Sequence, residues 1–122
     1  MPRPILDEAL LHPAIRPVVA GHHRDLIQQV QAAIGAHSAV VVGMAGNPFV
    51  ARARKALDAA GVAHEYIGIG SYLSQWRRRN ALKMWTGWPT LPMVFVRGTL
   101  VGGADDLRRL IDSGELKALL KP

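Results

Sequence analysis

The residue type that most constrains the chemistry of this chain is one it lacks. None of its 122 residues is cysteine. Thiol nucleophiles, disulfides, thiolate-bound zinc and thiolate-bound iron clusters are therefore excluded as products of its own side chains. Three other segments carry residue types that can bind or react. Gly102-Gly103 precedes Ala104-Asp105-Asp106; a sharp turn there brings a helix start, whose N–H groups can hold a carboxylate. The two aspartates suit either a ligand or the helix dipole, and spacing alone leaves both roles open. Arg77-Arg78-Arg79, with Lys83 one turn on, forms a local cationic cluster, and such runs ordinarily face solvent. Asn47-Pro48 combines a good N-cap with a proline at the first helical position, where no N–H is needed.

The histidines do not form a metal motif. His22 and His23 are adjacent, so on a helix their side chains diverge by about 100°, unlike the i, i+4 pair that chelates. His12 and His37 stand apart, and His64 reads as structural. No metal site, Ser/His/Asp arrangement or phosphate-binding glycine loop is expected. Trp76 and Trp85 read as packing residues, whereas Trp88 belongs to a loop.

These residues need a scaffold. The length suits one domain with a genuine core. Lysine and arginine exceed aspartate and glutamate by 15 to 9, a net charge of +6. This favours an anionic small molecule, an acidic partner or nucleic acid without choosing among them. Nucleic acid is the weakest of the three, because there is no basic tail or basic–aromatic repeat. Asp7 and Glu8 stand where a secretory leader would be apolar, and the longest apolar stretch, Ala39 to Gly46, is less than half a membrane span. A cytoplasmic location without membrane association is the expectation.

Residues 1–21, with prolines at 2, 4, 13 and 17, read as an N-terminal arm containing a short helix near Ile5–Leu11. Residues 22–122 read as the domain. Apolar spacing predicts a helix over His23–Ile34, stopped by Gly35. Ser38–Gly43 is a β-branched run suited to a buried strand. A helix follows from Asn47-Pro48 to about Ala60, then a strand over His64–Ile69. Ser71 is the candidate cap of a helix reaching Trp85. Met93–Val96 and Thr99–Val101 form a hairpin around Arg97-Gly98, followed by helices from Ala104 to Ile111 and from Glu115 to about Leu120. The order predicts an α/β fold: a four-stranded mixed sheet flanked by helices.

Trp88-Pro89-Thr90-Leu91-Pro92, a hairpin, Gly102-Gly103, an Asp pair and Ser113-Gly114-Glu115-Leu116 together resemble the C-terminal half of a glutaredoxin, with the monothiol branch most similar. The resemblance spans about residues 24–120 and implies the thioredoxin-like fold. It also implies a glutathione groove. Pro92 occupies the position of the family's cis-proline, whose neighbour Leu91 would pair with the ligand backbone. Gly103, Ala104 and Asp105 would hold the γ-glutamyl end, with Asp105 facing its amino group. Arg79, eleven residues before Thr90, matches the arginine that meets the glycyl carboxylate.

The same alignment puts Asn47-Pro48-Phe49-Val50 on the family's dithiol motif. Asn47 replaces the nucleophile, Val50 the resolving cysteine, and Met44 the activating lysine. No mixed disulfide can form through this chain, and a bridged [2Fe–2S] cluster is not expected by the usual route. The leading expectation is a cysteine-less binding module with a residual groove for glutathione, a γ-glutamyl compound or a partner's extended segment. The alternative is a glutathione-dependent oxidoreductase or transferase. It would use the thiol of bound glutathione, stabilised by the start of the Asn47 helix.

Overall fold

Strand β1 (Ala39–Gly43) is buried along its whole length, as its unbroken apolar run requires of a central strand. It pairs in parallel with β2 (Glu65–Gly68) and antiparallel with β3 (Met93–Val96). β3 in turn pairs antiparallel with β4 (Thr99–Gly102), giving the order β2-β1-β3-β4. The computed structural model describes residues 2–121.

Side-chain alternation along the strands divides the core in two. Val40, Val42, Met93 and Phe95 face α2 (Arg24–Ala36) and α4 (Trp76–Thr86), joining Leu26, Val30 and Leu82. Val41, Val94 and Val96 face the other way. They meet Ala53 and Leu57 of α3 (Pro48–Ala59), Leu107 of α5 (Ala104–Ser113) and Leu116 of α6 (Glu115–Leu120). The four-stranded mixed sheet with helices on both faces is the expected thioredoxin-like architecture.

Several boundaries differ from expectation, each for a local reason. The arm contains a 3-10 turn (Glu8–Leu10) but also α1 (Arg16–Gly21), with Pro17 in its first turn. Helix α2 begins after His23, whose backbone is left-handed at φ 47°, and runs through Gly35 to Ala36. The largest shift is at α4, which starts at Trp76 and not at Ser71. Ser74 Oγ accepts from the Ser71 N–H at 3.1 Å, and Ser71 Oγ accepts from the Leu73 N–H at 3.3 Å. Such serine-to-backbone bonds compete with helix formation, and residues 71–74 form a turn. The last two helices end and restart at Gly114, which is left-handed at φ 81°.

Candidate functional site

Three loops at the ends of the strands converge on a groove of about 430 Å³. The β1–α3 connection supplies Met44, Asn47 and Phe49. The α4–β3 loop supplies Trp88 to Leu91, and the start of α5 supplies Gly103, Asp105 and Asp106. Tyr72 and Lys83 also line it.

Asn47 caps α3: its Oδ1 accepts from the N–H of Phe49 at 2.8 Å and of Val50 at 3.3 Å. With Pro48 at the first helical position, the sequence signature and the observed helix start coincide. Val50 lies apart from the groove, 4% exposed in the core. It packs so near Gly43 that a Cβ there would come within 2.6 Å of its methyl. Glycine at that position is what lets α3 sit down on the end of β1.

The Leu91–Pro92 peptide bond is cis. Leu91 is 8% exposed and reaches both the core and the groove wall. Pro92 lies behind that wall, with its carbonyl oxygen 3.6 Å from where a Cβ on Gly103 would project. Trp88 lines the groove, and its buried indole N–H has no hydrogen-bond partner among the described residues.

At the start of α5 the two aspartates separate in role. Asp106 Oδ2 accepts from the Gly103 N–H at 3.0 Å, and its Oδ1 meets Arg109 at 3.4 Å. It closes the capping box, as expected of a residue serving the helix end. Gly102, at φ 112°, makes room for that carboxylate; a Cβ would stand 2.6 Å from Asp106 Oδ2. Asp105 is exposed and lines the groove. Ala104 is half-buried and packs its methyl into the core, so only its backbone N–H is available there. The N–H groups of Ala104 and Asp105 lie in the first turn and have no intrahelical acceptor.

Like the side chains of Pro92 and Ala104, that of Arg79 does not line the groove. Its side chain is buried, 7% exposed, and Nη1 donates to the carbonyls of Ile69, at 2.9 Å, and Ser74. A guanidinium in that setting holds the β2–α4 loop rather than presenting charge to a ligand. Lys83, one turn further on, is the cation at the groove. Arg78 pairs with Asp25 at 3.1 Å. That bond, followed by the Leu26 N–H, holds the Asp25 carboxyl below its usual value.

Tyr72 is a groove residue the sequence did not single out, and Phe49 entered only as part of the motif at the helix start. The Phe49 ring is 45% exposed, with the Arg52 guanidinium 4.5 Å above it. Tyr72 sits in the segment expected to be helical, which concealed its place on the rim. A second hollow of about 720 Å³, between α1, α2 and α4, is mainly apolar and includes Val18, Val19, Ile27, Met84 and Trp85. No cluster of metal-ligating side chains exists among the described residues, and none of their helices is long and apolar enough to cross a membrane. At the position where the resemblance puts a cluster-ligating thiolate stands the Asn47 amide, whose Oδ1 accepts from two backbone donors.

Comparison with known proteins agrees with this geometry. The glutaredoxin family model matches residues 40–101. A glutaredoxin-like protein of Dictyostelium discoideum is 45% identical over 98 residues, covering 80% of each chain. Mouse glutaredoxin-3 is 43% identical over 65 residues; the match takes in 53% of this chain but only 18% of that longer protein. Among solved structures, a buckwheat glutaredoxin–glutathione complex superposes with a TM-score of 0.68 at 25% identity, covering 80% of this chain and 88% of the other. The chain belongs to the glutaredoxin family and is a member without cysteine.

Proposed function

We propose that this protein binds glutathione or a related γ-glutamyl compound in the groove between Leu91, Asp105 and Lys83, and performs no thiol–disulfide exchange of its own. One observation carries the reading: Leu91, Gly103, Asp105 and Lys83 line one groove beside a helix start that carries Asn47 where the family has its thiol. A γ-glutamyl peptide is extended and carries one ammonium and two carboxylates. The Asp105 carboxylate suits the ammonium, and the first-turn N–H groups of α5 suit the neighbouring carboxylate. Lys83 suits the far carboxylate, the role that the resemblance assigns to Arg79. The Leu91 backbone beside the cis bond suits pairing with an extended main chain. The resemblance to a glutaredoxin that binds glutathione supports the same ligand.

The enzymatic alternative has less support. It needs α3 to stabilise the thiolate of bound glutathione, yet the cap formed by Asn47 already occupies the donors of that first turn.

Two assays on the purified protein test the reading together. Calorimetry with reduced glutathione should give saturable binding. Turnover of the mixed disulfide between glutathione and 2-mercaptoethanol should stay at the protein-free rate. Absence of binding at millimolar ligand would remove the glutathione reading, and turnover proportional to protein would revive the enzymatic one.

A further inference from the structure

The N–H groups of the first turn of α3 are engaged within the helix itself. Pro48 has none, and the Phe49 and Val50 N–H groups both donate to Asn47 Oδ1. The Ala51 N–H bonds the Asn47 carbonyl at 3.2 Å. A helix start draws anions through such donors; here those of Phe49 and Val50 already serve the Asn47 side chain. The groove residues contributed by this side of the site are not cationic. Met44, at the family's lysine position, is 6% exposed, and Phe49 and Tyr72 leave 45% and 64% of their surface uncovered beside the groove. The nearby Arg52 guanidinium stacks on the Phe49 ring and does not line the groove.

In a glutaredoxin-like pose the ligand's sulfur meets the residue at this helix start. A thiolate placed there would have to compete with Asn47 Oδ1 for the Phe49 and Val50 donors and would face the Met44 and Phe49 side chains. An uncharged sulfur carrying an apolar group would cover Met44, Phe49 and Tyr72 at no electrostatic cost. We propose that this end of the groove selects S-substituted ligands: thioether conjugates of glutathione or of a related γ-glutamyl compound, held in preference to the free thiol. The preference rests on the glutathione-type groove proposed above and adds to it the chemical class of the ligand. No bond is made or broken; the protein holds the conjugate.

Calorimetry with glutathione, S-methylglutathione and S-hexylglutathione tests it. Affinity should rise along that series, with the hexyl conjugate at least about tenfold tighter than glutathione, as expected for burying a few methylenes. In Phe49→Ala and Tyr72→Ala the ratio of hexyl-conjugate to glutathione affinity should fall towards one. If glutathione binds and the hexyl conjugate binds no tighter, the preference is wrong while the groove reading stands. A gain that survives both substitutions would place the alkyl chain elsewhere and also overturn it. If none of the three ligands binds, both readings fail.

Discussion

Asn47 stands at the position of the family's nucleophile, and its side chain caps a helix there. Replacing it with alanine should lower stability by about 1 kcal/mol through loss of that cap, measured by urea unfolding. Asn47→Cys is more informative, because it removes the cap and leaves the Phe49 and Val50 N–H groups facing a new sulfur. Its thiol should ionise about one unit or more below the ordinary value of roughly 8.5. The pH dependence of alkylation by iodoacetamide reads this directly, and an unshifted thiol would show that the helix start does not act as described. The cap was legible in the sequence because it depends on neighbours only two and three residues away. The direction of Arg79 was not. It is decided by the Ile69 and Ser74 carbonyls, whose positions depend on a serine turn that the periodicity of the segment conceals.

At the level of elements, the β2–α4 loop and the start of α5 set the shape of the groove. Arg79→Met would strip the loop carbonyls of their donor, and should cost about 1–3 kcal/mol. Hydrogen exchange at Ser71–Ser74 should quicken, with glutathione affinity affected mainly through Tyr72. A ligand-binding Arg79 would instead abolish affinity and leave exchange in the loop unchanged. Gly102→Ala would force a Cβ against Asp106. Its melting temperature should drop by several degrees, about 4–8 °C per kcal/mol for a domain near this size. The α2–α4 contact offers a pH test. Asp25 has a lowered pKa in the folded state, chiefly from its bond to Arg78. Its contribution is therefore present above the unfolded value near 3.9 and fades as pH falls through the folded one. Arg78→Ala should move the Asp25 titration, followed by carboxyl carbon NMR, back towards the ordinary value. Strands and the long helices were legible because their periodicities of 2 and 3.6 residues are properties of short windows. Helix α1, short and carrying a proline, lacked that signal.

Across the whole molecule, the central sheet fixes the distances between the three loops that line the groove. Leu82 is fully buried on the α4 face, and Leu82→Ala should cost roughly 2–5 kcal/mol, seen as an earlier unfolding midpoint. The family resemblance picked out two of the segments that border the groove, Trp88–Leu91 and Gly103–Asp105, because their residue types mark them in the sequence. That Tyr72 and Phe49 border the groove together was not legible, since Phe49 lies in the first turn of α3 and Tyr72 in the β2–α4 loop, and they are brought to one place only in three dimensions. The most direct measurement is a glutathione titration of the isotope-labelled protein followed by backbone amide NMR. Progressive, saturating shifts at Leu91, Gly103, Ala104 and Asp105, with Val19, Gln31 and Trp85 unmoved, are the predicted result. An unchanged spectrum at millimolar glutathione, or shifts confined to the hollow between α1, α2 and α4, would contradict it.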